Sequence, residues 1–565
     1  MNNKILVIED SKSKISEDYE CPKLEYVNQS KDENIHLWLI KNKKLLFEAE
    51  RLIIPVRLGN EDAEYMGLYI GLHIRLTKEL EMARCLPILF ISKQTKEDIL
   101  TNQINNHKEK SGILLFTKGS YLLPALSLDD YISRAIPFLD EQTLLEDVIP
   151  SLHIENKKDP GHQLANDWGA FRLAKFAGFS LKQEKPSSLY FKFKDSFTNN
   201  EIVPNANNTI GLFNESCKAL LIDDNATSGW SETLKHILRS KIVNPGKSVS
   251  LDVITLFEDA LKFTDYINYD VVFLDLRLLK EEDKSNQINS IDDFTGTKVL
   301  KVIKDINFGI QIIIFTASNK VWNIEKLLEL GANGYYIKES PEYILSTRFS
   351  KDNYEEFIKT IQTCLLRKPL KEIYSLSQNV VSIIESLVKS KKLDKHFGKS
   401  VEQYLNLAYK VIDKARTEND YAMGYLVLFK CIELINDYYL IEHTPTNWEI
   451  TIAGPLKQFK YNSYNNSISN VNPVSFWNNI PSTFEKIAGF TFQVLGFSNA
   501  EILDLYHNVQ RRNKFIHPDE SGTLTSVQIA ENKRVFSYEG YTKLIGSIDL
   551  IFSKLEIELK GGSKN

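Results

Sequence analysis

Four short apolar runs, each closed by a polar residue, set the pattern of residues 217–345. Lys218 to Ile222 leads into Asp223-Asp224, and Val271 to Leu274 into Asp275. Ile312 to Phe315 leads into Thr316, and Gly334 to Ile337 into Lys338. The runs are short and rich in branched side chains, as strands buried on both faces should be. Between them, Val299, Leu300, Val302, Ile303 and Ile306 recur at helical spacing. Ile324, Leu327 and Leu328 do the same up to Gly331, a helix stop. Strands alternating with helices predict βαβ units and an open parallel sheet, whose strand tips line one crevice. Three carboxylates, a hydroxyl and an ammonium are expected to meet there. Such a set can hold a hard divalent cation and accept a phosphoryl group on a carboxylate.

The ordered motifs LLIDDN, VVFLDLRL, IIIFTAS and GANGYYIKES make this segment similar to the receiver domain of two-component response regulators. The resemblance implies a flavodoxin-like, doubly wound, five-stranded parallel sheet. It implies Mg2+ on Asp223, Asp224 and Asp275, with the backbone carbonyl of Arg277 as a further ligand. Asp275 would be the phosphoacceptor, Thr316 the switch hydroxyl, and Lys338 the cation that neutralises the phosphoryl charge. The implied partner is a histidine kinase or a phosphotransfer protein. Two departures stand out: the polar, acidic stretch Leu279 to Thr295, and Glu339-Ser340-Pro341 after Lys338, where the family has proline directly after the lysine.

Residues 1–120 repeat the same order of runs. Lys4 to Ile8 before Glu9-Asp10 parallels Lys218 to Ile222, and Leu52 to Leu58 parallels the strand of Asp275. Pro87 to Ile91 before Ser92 parallels the strand of Thr316, and Leu114 to Thr117 before Lys118 the strand of Lys338. The alignment puts Pro55 in the phosphoacceptor position. Proline offers neither a nucleophile nor a metal ligand. This copy therefore reads as a degenerate receiver that retains Glu9, Asp10, Ser92 and Lys118 and acts as a docking or structural module.

Residues 121–216 repeat nothing. Leu164, Trp168, Phe171, Leu173, Ala174 and Phe176 predict one helix with a broad apolar face. Its polar residues His162, Asn166, Asp167 and Arg172 read as structural. Beyond Pro369 long helices are predicted around Val380 to Val388, Leu405 to Ala415, Met423 to His443 and Leu544 to Leu559, with the polar stretch 444–482 as an inserted loop. Arg512, Asn513 and His517 fit the R-N-x-x-x-H pattern of HEPN-domain proteins, helical bundles of which many cleave RNA. That resemblance leaves two readings: a noncatalytic domain that only dimerises or binds a partner, or a ribonuclease in which His517 would carry a proton, Arg512 would stabilise the phosphorane, no metal would be needed, and two copies would form one site.

Composition narrows this picture. A net charge of −5 with 43% hydrophobic and 25% charged residues fits ordinary globular domains and argues against a generally basic nucleic-acid binder. No apolar run approaches a membrane span, and five scattered cysteines without CxxC spacing suit a reducing cytoplasm. The expected organisation is a degenerate receiver (1–120), a linker subdomain (121–216), a receiver (217–345), a connecting segment (346–375) and a HEPN-like helical output domain (376–565). The expected function is that of a cytoplasmic response regulator. Enzymatic activity stays open between the receiver's own phosphotransfer and dephosphorylation and, as the alternative, a phosphorylation-regulated, metal-independent ribonuclease. That alternative brings RNA and a homodimer through the helical domain as partners, and a place in bacterial antiviral defence by analogy.

Overall fold

The computed structural model describes residues 4–12, 15–26, 32–59, 65–105, 110–123, 127–133, 136–154, 162–181, 188–197, 213–279, 282, 290–316, 321–341, 347–444, 447–462, 464–471, 481–516 and 538–561.

The first unit is a five-stranded parallel sheet of β1 (Ile5–Glu9), β2 (Lys23–Glu25), β3 (Arg51–Pro55), β4 (Ile88–Ile91) and β5 (Ser120–Leu123), in the order β2-β1-β3-β4-β5. Helix α1 (Met66–Leu76) follows β3. β1 is buried along its length and β3 over Leu52, Ile53 and Ile54, as a sheet covered on both faces requires.

The helices described between the sheets include α2 (His162–Phe176) and α3 (Leu189–Ser196). They divide the presumed linker. Leu189 and Phe193 of α3 pack into the core of the first unit, while Ala170, Leu173 and Phe176 of α2 pack into that of the second.

The second sheet is again five-stranded and parallel. It holds β6 (Cys217–Ile222), β7 (Val249–Ile254), β8 (Val271–Asp275), β9 (Ile312–Thr316) and β10 (Gly334–Ile337), in the order β10-β9-β8-β6-β7. Read from β7, this repeats the strand order of the first sheet, the doubly wound arrangement with its switch point between the first and third strands. Alternate residues feed two cores. Leu221, Phe273 and Phe315 face α4 (Trp230–Ile237), while Leu220, Val272 and Ile314 face α5 (Thr295–Ile306) and α6 (Val321–Glu329). α7 (Thr347–Leu366) falls in the segment expected to connect domains, yet its Tyr354, Phe357 and Ile361 are buried against this sheet.

The remaining chain forms α8 (Leu370–Lys389), α9 (Lys395–Lys414), α10 (Glu418–Tyr439), α11 (Thr483–Gln493), α12 (Asn499–Ile516) and α13 (Tyr538–Gly561), sharing one core. The helix expected to run to His443 stops at Tyr439, and Leu440–Thr444 is a strand. The stretch expected to be a loop carries short antiparallel strands, and Ile450, Leu456, Phe459 and Ile468 from it join the core. This helical region docks beneath the second sheet. Asn307 Nδ2 donates to Lys371 O (3.0 Å) and Ser375 Oγ (3.0 Å), and Lys371 Nζ donates to Tyr269 O (2.5 Å). A Cβ on Gly309 would lie 2.2 Å from Leu370 O. These residues precede β8 and β9, at the end of the sheet opposite the strand tips.

Candidate functional site

Asp223, Asp275, Thr316 and Lys338 converge at the tips of β6, β8, β9 and β10, and all four are buried. The reason is register. Ile222 pairs with Leu274, Asp275 with Phe315, and Ile337 with Thr316, so the residues that close the apolar runs stand side by side. Lys338 Nζ donates to Asp275 Oδ2 at 2.7 Å and to Asp223 Oδ2 at 3.1 Å. Its backbone N–H donates to Thr316 O at 2.7 Å. The Asn225 N–H caps Asp223 Oδ1 at 2.7 Å, and Asn225 Nδ2 donates to Asp224 Oδ1 at 2.7 Å, a local turn that aims both acids inward.

Burial pushes the Asp223 carboxyl up to about 6 against the pull of Lys338, and burial likewise raises Asp275. Burial works against the Lys338 ammonium too, but the two carboxylates outweigh it and raise its pKa. Oxygens of Asp223, Asp224 and Asp275 lie within 4.8 Å of one another. Three hard oxygen donors at a buried site fit a divalent cation such as Mg2+, which would favour the charged form of both carboxylates. The Arg277 backbone is engaged through its N–H, which donates to Asp275.

Several residues of the site were given no part in it from the sequence. Trp230 is fully buried, and Lys338 Nζ lies 5.0 Å from the centre of its ring. Gly296 opens α5 with its backbone against the Asp275 strand, where a Cβ would meet Asp275 O at 2.2 Å. Asn166, read as structural, sends Oδ1 into the site to accept from Lys338 Nζ at 2.7 Å. Glu339, in the place of the family's proline, is buried and pairs with Arg172 Nε at 3.1 Å. Both contacts join α2 to a loop more than 160 positions away in sequence, which no local pattern reveals. In the long stretch after β8, the Glu282 carboxylate accepts from Thr295 N (2.8 Å) and Thr295 Oγ1 (2.8 Å), which ties the loop to the start of α5. Residues 280, 281 and 283–289 lie outside the described residues.

The first sheet carries the same geometry without the chemistry. Its β1–β3 and β6–β8 registers superpose Glu9 on Asp223, Asp10 on Asp224 and Pro55 on Asp275. A Cβ on Gly67, at the start of α1, would lie 1.8 Å from Pro55 O, as Gly296 stands to Asp275. The acids are used locally. Glu9 accepts from Ser16 N (3.2 Å) and Ser16 Oγ, and Asp10 from Lys12 N (3.0 Å) and Gly59 N (2.9 Å). Ser92 Oγ accepts from Gln94 N at 3.0 Å. One expectation is corrected. Residues 111–116 form a helical turn, not the last strand, and Lys118 is an exposed residue paired with Asp147 at 2.7 Å. β5 begins at Ser120, and its register aligns Tyr121 with Gly334. The counterpart of Lys338 is therefore Ala125, outside the described residues.

Residues 1–123 match the family model of the inactive receiver domain. The geometry gives that description a physical content: a receiver-like sheet whose central tip is Pro55 and whose acid pair is spent on its own loops. No curated protein sequence matches the chain. Among solved structures it is similar to a two-component response regulator of the LuxR family from Aurantimonas sp. SI85-9A1, at 20% identity over 27% of this chain and 86% of that one, with a TM-score of 0.19. It is also similar to a putative two-component system response regulator/GGDEF domain protein, at 12% identity over 64% of this chain and 99% of that one, with a TM-score of 0.18.

In the helical region, Arg512 Nη2 donates to Glu433 Oε1 at 2.8 Å and Arg512 Nη1 to Asn513 Oδ1 at 3.1 Å. The guanidinium expected to face a phosphate is thus held by a carboxylate of α10, and His517 lies outside the described residues. Among the described residues no helix is long and apolar enough to cross a membrane.

Proposed function

We propose that the second α/β unit is a phosphoacceptor in a phosphorelay, making the chain a response regulator, with the inactive receiver at its N-terminus as a structural or docking module. The observation that carries this is the buried ammonium of Lys338 bridging Asp223 and Asp275 beside a third carboxylate, Asp224, at the tips of a sheet wound like the inactive receiver's. A carboxylate oxygen of Asp275 attacks the phosphorus of a phosphohistidine on a kinase or phosphotransfer protein. The new O–P bond forms as the P–N bond breaks, and the electron pair stays on the imidazole nitrogen, which takes a proton from water. Lys338 holds Asp275 ionised in its buried setting and offers its charge to the phosphoryl oxygens. Asp223, Asp224 and Asp275 would hold Mg2+, which when bound neutralises charge on the transferring group. Thr316, buried at the adjacent tip, would read the product.

The test is labelling with a small acyl phosphate and Mg2+. One acid-stable, base-labile phosphate is expected on the wild-type chain, none on Asp275→Asn and none in EDTA. Label that survives Asp275→Asn, or that maps to residues 1–123, would overturn the assignment.

A further inference from the structure

A side chain of α2, Asn166, reaches Lys338 at the acid cluster. Lys338 has three N–H donors, and three oxygens take them: Asp275 Oδ2 (2.7 Å), Asp223 Oδ2 (3.1 Å) and Asn166 Oδ1 (2.7 Å). A phosphoryl group on Asp275 would bring further anionic oxygens to the same ammonium. Bonds from an ammonium to anionic oxygens are stronger than bonds to a neutral amide. Phosphorylation also turns the Asp275 carboxylate into a neutral acyl oxygen, so the two neutral acceptors, that oxygen and the amide of Asn166, are the ones that yield to the phosphoryl oxygens.

α2 grips the loop after β10 at two more points. A Cβ on Gly169 would lie 3.3 Å from Glu339 O and 3.1 Å from the Trp230 ring, so the helix backbone rests on that loop. Arg172 pairs with Glu339 next to Lys338. The helix is also anchored away from the site. Lys175 Nζ meets Asp195 Oδ1 of α3 at 2.6 Å, and Asp195 Oδ2 meets Lys78 Nζ of the first unit at 2.7 Å. Trp168 and Phe171 meet Phe191 of α3 edge to face, and Lys192 of α3 donates to Thr77 Oγ1 of the first unit at 2.8 Å. The helical region, by contrast, sits at the far end of the second sheet.

We infer that α2 is a phosphorylation-responsive clamp: Asn166 holds Lys338 until a phosphoryl group on Asp275 displaces it, and the loosened helix carries the change to the inactive receiver. This rests on the phosphoacceptor reading of the second unit. Asn166 is a positioning residue here, since it acts through Lys338.

Hydrogen–deuterium exchange on the full chain tests it, with Mg2+ and an acyl phosphate and with phosphate at Asp275 verified by peptide mapping. Amides of residues 162–176 are expected to exchange at least about tenfold faster in the phosphorylated wild type, a comparison that needs no variant. Asn166→Ala should speed that exchange without phosphodonor and raise the rate of Asp275 phosphorylation several-fold. Asn166→Asp, which offers Lys338 an anionic oxygen, should slow phosphorylation and keep the helix protected. Phosphate on Asp275 with unchanged exchange in 162–176 overturns the clamp alone. No phosphate on wild type and Asn166→Ala alike overturns the reading of the site, and the clamp with it.

Discussion

Gly67 and Gly296 stand at the same point of two separate sheets. A Cβ on the first would lie 1.8 Å from the carbonyl oxygen of Pro55, and a Cβ on the second 2.2 Å from that of Asp275. In each unit the helix after the central strand begins hard against the tip of that strand, and only a missing side chain allows it. Pro55 therefore stands where Asp275 stands in the second sheet, by geometry as well as by alignment. Gly67→Ala and Gly296→Ala are each expected to destabilise the chain by about 2 kcal/mol or more, since the clash is with backbone that cannot turn aside. Urea unfolding midpoints check this, and a loss under about 0.5 kcal/mol in both would contradict the close approach.

The acid cluster makes stability depend on pH and on metal. Asp223 has a folded pKa of about 6 against an ordinary 3.8, so the folded chain binds the extra proton. The stability this confers is present in full below pH 3.8 and is lost as pH rises through about 6. Mg2+ should reverse the loss, because it favours the ionised form. A Tm rise with millimolar Mg2+ is expected at pH 7.5 and a much smaller one at pH 5, with Asp223→Asn abolishing the difference. Equal rises at both pH values would argue against a carboxylate site.

Lys338→Met keeps length but removes the counter-charge of two buried carboxylates. The expected cost is on the order of 3 kcal/mol at pH 7, from leaving buried charge uncompensated. At pH 5 the cost should shrink, since Asp223 then carries a proton. Denaturation of the variant at the two pH values measures this, and a pH-independent loss would show that packing, not charge, is what Lys338 supplies.

Arg75 is fully buried in the first unit, where Nη1 donates to Leu86 O at 2.7 Å and to Arg84 O, and Nη2 donates to Gly119 O at 3.0 Å. One guanidinium thus fixes the chain just before β4 and just before β5. Arg75→Met should strand those carbonyls, at about 1–3 kcal/mol for each left without a partner. Proteolysis of the first unit under native conditions is expected to accelerate while Asp275 labelling on the second unit persists.

The sequence by itself determined the strands and the tips. A buried parallel strand must be an apolar run, and its first polar residue marks the crevice, so Asp223, Asp275, Thr316 and Lys338 were legible before any coordinates. Pro55 was legible for the same reason. The last strand of the first unit was not. Leu114 and Leu115 are apolar because they are buried from a helical turn, where Gln103 holds Ser111 Oγ and Gly112 N at 2.7 Å. A short apolar run has no period that separates strand from turn. The strand instead starts after Gly119, whose φ of +74 makes the corner. Tertiary structure alone decided the role of α2. Its apolar face announced a helix, but the partners of Asn166 and Arg172 are Lys338 and Glu339. Such long-range pairs leave no periodic trace, because a hydrogen bond across a packed interface depends on where two surfaces meet and not on spacing along the chain.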